Sequence, residues 1–100
     1  MTIVRVFGTM TPEQEAPFLA AVRDVVAATR QEPAWIHYSC YRDAMEPHRF
    51  VFYEEWESMD GLREHLATPH VTAFFQVVQE LGVQSDGIDT FETPGPVKLS

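Results

Sequence analysis

The spacing of apolar residues changes period along the chain, and each change marks an element. Residues 2–10 carry Ile3, Val4, Val6 and Phe7 around Arg5, the short repeat of a strand. From Pro17 the repeat lengthens: Phe18, Ala21, Val22, Val25, Val26 and Thr29 share one helical face, Arg23, Asp24, Ala27 and Arg30 point away, and Pro33 ends the helix. Thr11-Pro12-Glu13-Gln14 has the form of a capping box. A proline inside a helix costs about 3 kcal/mol, so Pro17 predicts either a separate first turn or a helix that begins there.

Residues 34–42, AWIHYSCYR, and 49–56, RFVFYEEW, read as two strands of a hairpin joined by a loop over 43–48. That loop is longer than the two-residue turns that pin a register, so the register stays open. Ser58, or the loop before it, caps a short helix over 59–67 that presents Met59, Leu62 and Leu66. Thr68-Pro69 repeats the cap-and-proline signal and opens a further helix, with Val71, Phe74, Phe75, Val78 and Leu81 on one face and Gly82 as its C-terminal cap. A last strand over 84–92 holds Ile88 and Phe91. The reading is one domain over residues 1–93 and a loose tail over 94–100.

The order β-α-β-β-α-α-β predicts an α+β fold, a ferredoxin-like sandwich in which helices cover one face of a four-stranded antiparallel sheet. Phe50, Val51, Phe52 and Tyr53 are apolar on both parities, so both faces of that strand call for burial, while the chain's own helices cover one. A homodimer joined sheet to sheet, closing a dimeric α/β barrel, is the simplest solution; scattered exposed aromatics are the alternative.

Composition sharpens this picture. A chain of 100 residues buries only about 60–65% of its unfolded surface, which leaves a thin core and favours a partner copy. With 45% hydrophobic and 22% charged residues it is globular rather than disordered. A net charge of −8, with six scattered Arg and a single Lys in the tail, argues against nucleic acid and against an anionic membrane surface. A neutral or cationic small molecule fits better. The sequence shows no basic signal region and no run approaching the ~20 apolar residues of a membrane span. Its single Cys40 suits a reducing compartment, so a cytoplasmic location is expected. Cys40 itself reads as a small buried strand residue in preference to a nucleophile.

Candidate chemistry gathers in 49–75, where a strand ending in Glu54-Glu55-Trp56 runs into the helices that carry His65 and His70. If Arg42 pairs with Arg49, then Ser39–Phe52, His37–Glu54 and Trp35–Trp56 share one face; a one-residue slip brings Ile36, Tyr38 and Cys40 there instead. In the first register a His37–Glu54 pair and two indoles line one wall and the short helix can lower His65 onto it, which predicts an aromatic pocket in which one or two titratable groups exchange a proton with a flat ligand. Duller roles compete: Glu54 as an internal hydrogen-bond acceptor, Trp56 as core, His65 as a structural histidine, His70 as a neutral or solvated group at a helix start. The sequence has no phosphate loop, no HExxH and no paired Cys. His65 and His70 are five apart with Pro69 between them, which argues against a shared metal.

Thr29-Arg30-x-Glu32-Pro33, Tyr38, the run Phe50-x-Phe52-x-Glu54-x-Trp56-Glu57-Ser58, Leu62-x-x-His65-Leu66 and Pro69-His70-x-x-x-Phe74 together resemble the antibiotic-biosynthesis monooxygenase (ABM) superfamily over residues 2–92. The resemblance implies a homodimeric α+β barrel with a cavity between sheet and helices. It also implies oxidation of a quinol or anthrone-like polycyclic phenol by O2 without cofactor or metal. Trp56 and His65 map onto the family's Trp and helical His. The chain departs from the pattern in containing no Asn and no Arg after Arg63, so the Asn and Arg of the anthrone oxygenases have no counterpart. Phe75 stands where the haem-degrading branch has its His, which disfavours haem degradation. On this resemblance Trp56 stacks on the substrate and shields O2, His65 or His37 is the base, Glu54 orients the imidazole or receives the proton, and Trp35, Tyr38, Phe52, Phe74 and Phe75 form the walls. An isomerase or cyclase using the same groups without O2, and a non-catalytic binding dimer, are the alternatives.

Overall fold

Caps and prolines set where the elements begin. The computed structural model describes residues 1–100 as β1 (Thr2–Thr9), α1 (Pro12–Thr29), β2 (Trp35–Arg42), β3 (Arg49–Trp56), α2 (Met59–Leu66), α3 (Pro69–Leu81) and β4 (Gln84–Glu92). Thr11 caps α1 through a reciprocal capping box with Gln14. The helix then runs unbroken through Pro17, against the expectation of a break. The bond that Pro17 cannot donate belongs to the carbonyl of Glu13, and both residues are exposed, so water can satisfy that carbonyl while Phe18, Val22, Val25 and Thr29 hold the helix to the core. Thr68 and Pro69 open α3, and Gly82 closes it in the left-handed region at φ 75°.

The four strands form one antiparallel sheet in the order β2-β3-β1-β4, the ferredoxin-like α+β sandwich. The core lies between the sheet's inner face and the helices: Val4, Phe50, Phe52 and Trp56 from the sheet meet Phe18, Val22, Val25, Leu62, Val71 and Phe74. Each such large side chain withdrawn from water contributes about 1.5–3 kcal/mol. Residues 94–100 carry no helix or strand.

The register of β2 on β3 decides what faces the core. Trp35 pairs with Trp56 as anticipated, but His37 pairs with Glu55, so β2 holds one extra residue, Ile36, between them. Beyond this bulge the pairs are Tyr38–Glu54, Cys40–Phe52 and Arg42–Phe50. The Arg42–Arg49 register is therefore corrected by one residue. Tyr38 turns inward and His37 outward, where it hydrogen-bonds Tyr41 Oη at 2.8 Å and packs edge-on to Tyr53. Cys40 lies on the inner parity, and burial pushes its thiol up to about 12, so it stays protonated and is no nucleophile at neutral pH.

Candidate active site

Ser58 follows Trp56 by two residues, and its Oγ accepts the amide of Gly61, which starts α2 with no intervening loop. Gly61 is required by contact: a Cβ there would sit 2.4 Å from that of Ala34. The helix is thus pressed against the start of β2, and His65, two turns from the cap, is lowered onto the sheet. Its ring centroid lies 4.5 Å from that of Trp56 and 5.2 Å from that of Tyr38, and only 2% of its surface is exposed.

Glu54 projects from β3 beside it, 5% exposed, and Trp56 Nε1 donates to its Oε1 at 3.0 Å. Burial drives the Glu54 carboxyl up to about 7; the Trp56 hydrogen bond opposes this and the charge of Glu32 adds to it. Burial acts the other way on His65, holding its proton affinity down against the hydrogen bond and charge of Glu32. Burial and the Glu54 charge keep the Tyr38 phenol protonated.

Glu54 and His65 face one cavity of about 330 Å³ between sheet and helices, and fifteen of its twenty lining residues are hydrophobic. Tyr38, Phe52 and Phe74 form its walls, and Phe75, 53% exposed, stands where it opens to solvent. No Arg or Lys lines it. Three expected site residues lie elsewhere. His37 is on the opposite face of the sheet, turned there by the Ile36 bulge. Trp35 does not line the cavity, and Trp56 is fully enclosed behind Glu54 and His65, where it cannot stack on a ligand. The indole instead hydrogen-bonds the acid and packs against the imidazole.

The carboxylate that contacts His65 Nδ1 is not among the residues expected at the site. Glu32, in the turn after α1, places Oε2 2.7 Å from His65 Nδ1 and 2.8 Å from His70 Nε2. Orientation of the imidazole, expected of Glu54, is thus performed by Glu32. Pro69 does separate the two histidines, but it begins α3, and the sharp α2–α3 junction returns His70 to the same carboxylate. Glu-Pro before β2 and Thr-Pro-His at α3 were the available signals. Glu32, His65 and His70 are the set that could hold a metal, their ligand atoms lying within 4.8 Å of one another. With both imidazoles at hydrogen-bond distance from one carboxylate oxygen, they satisfy each other as a hydrogen-bonded triad. The tautomer with hydrogen on Nδ1 leaves Nε2 of His65 a free lone pair on a cavity-lining ring.

A family model described as antibiotic biosynthesis monooxygenase matches residues 1–77, the stretch that carries Glu32, Glu54, Trp56, His65 and His70. The chain belongs to that family. A candidate ABM protein from Deinococcus radiodurans superposes with a TM-score of 0.92 at 25% identity, covering 100% of this chain and 99% of that one. A second ABM structure gives 0.78 at 28% identity over 95% and 100% of the two chains. Among curated sequences, the uncharacterised protein sll1783 of Synechocystis is 31% identical over 70 residues, 70% of this chain. The match spans about half of that relative, 48% of its length. No helix is long and apolar enough to cross a membrane.

Proposed function

We propose that this ABM protein is a cofactor-independent monooxygenase of a neutral, flat, electron-rich phenol, a hydroquinone or an anthrone-like polycycle. The observation that carries this reading is the pairing of one raised acid and one depressed base in a single apolar cavity. At 330 Å³ the cavity lies near the lower end of ligand-sized pockets, about 300–1,000 Å³, and suits about two or three fused rings. A cavity free of cationic side chains disfavours a phosphorylated substrate. His65 Nε2 takes a proton from the substrate, and protonated Glu54 donates a hydrogen bond to the oxygen on which negative charge develops. The resulting anion is itself the reductant: one electron passes to O2, the radical pair closes a C–O bond, and the peroxide is reprotonated. For an anthrone methylene, loss of water then leaves a carbonyl, so CH2 plus O2 gives C=O plus H2O.

The active form is a homodimer packed through the outer face of the sheet. There Phe7, Tyr41 and Phe91 are exposed. Oxygen uptake by metal-stripped protein with hydroquinones, naphthohydroquinones and anthrones tests the reading. Uptake above autoxidation that survives chelation and falls in His65→Ala supports it. Ring or proton rearrangement of the substrate without oxygen consumption would make the site an isomerase, which the same acid/base pair also permits. Ligand binding with no turnover would leave a binding dimer.

A further inference from the structure

We propose that Glu32, His65 and His70 form a binding site for one divalent ion of the zinc class, and that an ion held there silences the base by fixing the ring hydrogen of His65 on Nε2. The silencing rests on the reading of His65 Nε2 as the base; the site itself does not.

Three segments deliver the donors: the turn after α1 brings Glu32, α2 brings His65 and α3 brings His70. Oε2 of Glu32 lies 2.7 Å from His65 Nδ1 and 2.8 Å from His70 Nε2, and the three ligand atoms fall within 4.8 Å of one another. Ligands around zinc, at bond lengths of about 2.0–2.2 Å, stand about 3.3–3.6 Å apart, so Oε2 has to draw back from each ring by only about half an ångström. The backbone holds the set in place. The Glu32 amide donates to the Thr29 carbonyl at 3.0 Å, and Thr68 Oγ1 donates to the His65 carbonyl at 2.7 Å while its residue caps α3. The ion-pair contacts of Glu32 are the two imidazoles, with no Arg or Lys among them. The contact between His48 and Glu15 differs, for it spans 4.0 Å and the same Glu15 oxygen already pairs with Arg42 at 2.9 Å. Two imidazole nitrogens and one carboxylate suit zinc, cobalt and nickel, whereas magnesium and calcium favour shells of oxygen alone. Entry runs past His70, whose side chain is 25% exposed against 12% for Glu32 and 3% for His65. A neutral imidazole has one nitrogen with a free lone pair. An ion on Nδ1 of His65 therefore sends the Nδ1 proton to solvent while Nε2 takes one up, with no net change in ring charge, and the lone pair that would accept the substrate's proton is gone.

The decisive experiment titrates Zn²⁺ into the chelator-treated full chain with no substrate present, followed by calorimetry and by the NMR signals of the histidine ring nitrogens. One Zn²⁺ per chain is expected, moving the signals of His65 Nδ1 and His70 Nε2 and leaving those of His37 and His48 in place, while Mg²⁺ at the same concentration moves none. His70→Ala removes the most accessible ligand and should weaken zinc binding by more than about 100-fold, since losing even a group that only hydrogen-bonds a ligand costs about 10–100-fold. Saturating zinc should lower oxygen uptake by the unsubstituted protein to the level of His65→Ala. No binding up to millimolar zinc, or signals moved only at His37 or His48, would overturn the site without any variant having to fold. Equal affinity in a folded His70→Ala would overturn it as well. Zinc bound at the three residues with oxygen uptake undiminished would uphold the site and reject the silencing. Zinc bound there in a protein that consumes no oxygen with any of the phenols would uphold the site and reject the oxygenase reading.

Discussion

Burial acts in opposite senses on the Glu54 carboxyl and the His65 imidazole, and this has measurable consequences at the scale of single residues. The folded-state value of Glu54 is raised from 4.5 to about 7, so the folded chain holds its proton more tightly than the unfolded one. Stability from this group is fully present below the ordinary carboxyl value and is lost as pH rises to about 7, a difference on the order of 3 kcal/mol. Glu54→Gln keeps the acceptor for Trp56 and cannot ionise. Urea unfolding should therefore find it more stable than the parent at about pH 8, by up to that amount, with the gain gone near pH 4. His65 runs the other way. Its depressed folded-state affinity means that the unfolded chain binds the proton first, and stability falls as pH drops below the ordinary histidine value. In turnover, kcat/KM should decline as Glu54 ionises near pH 7, and that alkaline limb should be missing in Glu54→Gln. His65→Ala should lose about 10²–10⁴-fold in kcat while still binding ligand. That Glu54 and His65 meet at one cavity was legible because the E-x-W…H pattern puts them on adjacent elements. Glu32 was not, since its contact with His65 spans 33 residues and depends on tertiary packing. His70 was dismissed by a spacing rule that holds for one helix and not across a junction.

At the scale of elements, the site depends on how closely α2 lies on the sheet. Gly61→Ala would drive a methyl group into Ala34 and lift the helix, at a cost of about 1–3 kcal/mol. Because His65 rides on that helix, activity should fall with stability. A Gly61→Ala/Ala34→Gly double variant should recover both, measured by thermal unfolding and turnover on the same samples. Every element was legible because strands, caps and prolines are local signals. Ser58, Thr68-Pro69 and Gly82 each act where the residue pattern puts them. The hairpin register was not local. Its six-residue loop leaves the pairing free, and the choice falls to the Ile36 bulge, which keeps the Trp35–Trp56 pair while turning Tyr38 under the helices. That one inserted residue exchanges Tyr38 for His37 at the site.

At the scale of the molecule, the outer sheet face remains the unfinished surface. Phe7 and Phe91 flank the Arg5 guanidinium, which lies 4.9 Å from the Phe91 ring centroid, and Val51 and Tyr53 of β3, half-buried, pair with Phe7 and Arg5 on the other side of β1. A pack of aromatic and aliphatic groups on one face is the surface a second copy would cover. Sedimentation should give twice the 11.4 kDa mass of one chain, and Phe91→Glu should shift it toward the monomer. The layered architecture followed from element order. The size of the cavity did not, because it depends on how far α3 stands from the sheet, a distance that no residue pattern encodes. The central claim is that Glu54 and His65 let a bound phenol react directly with O2. Mass spectrometry of the product formed from an anthrone under ¹⁸O2 by metal-stripped protein tests it most directly. One labelled oxygen is expected in the product, with the enzymatic rate lowered about 10²–10⁴-fold in His65→Ala. Product oxygen drawn from water, or labelling that proceeds equally fast in His65→Ala, would contradict it.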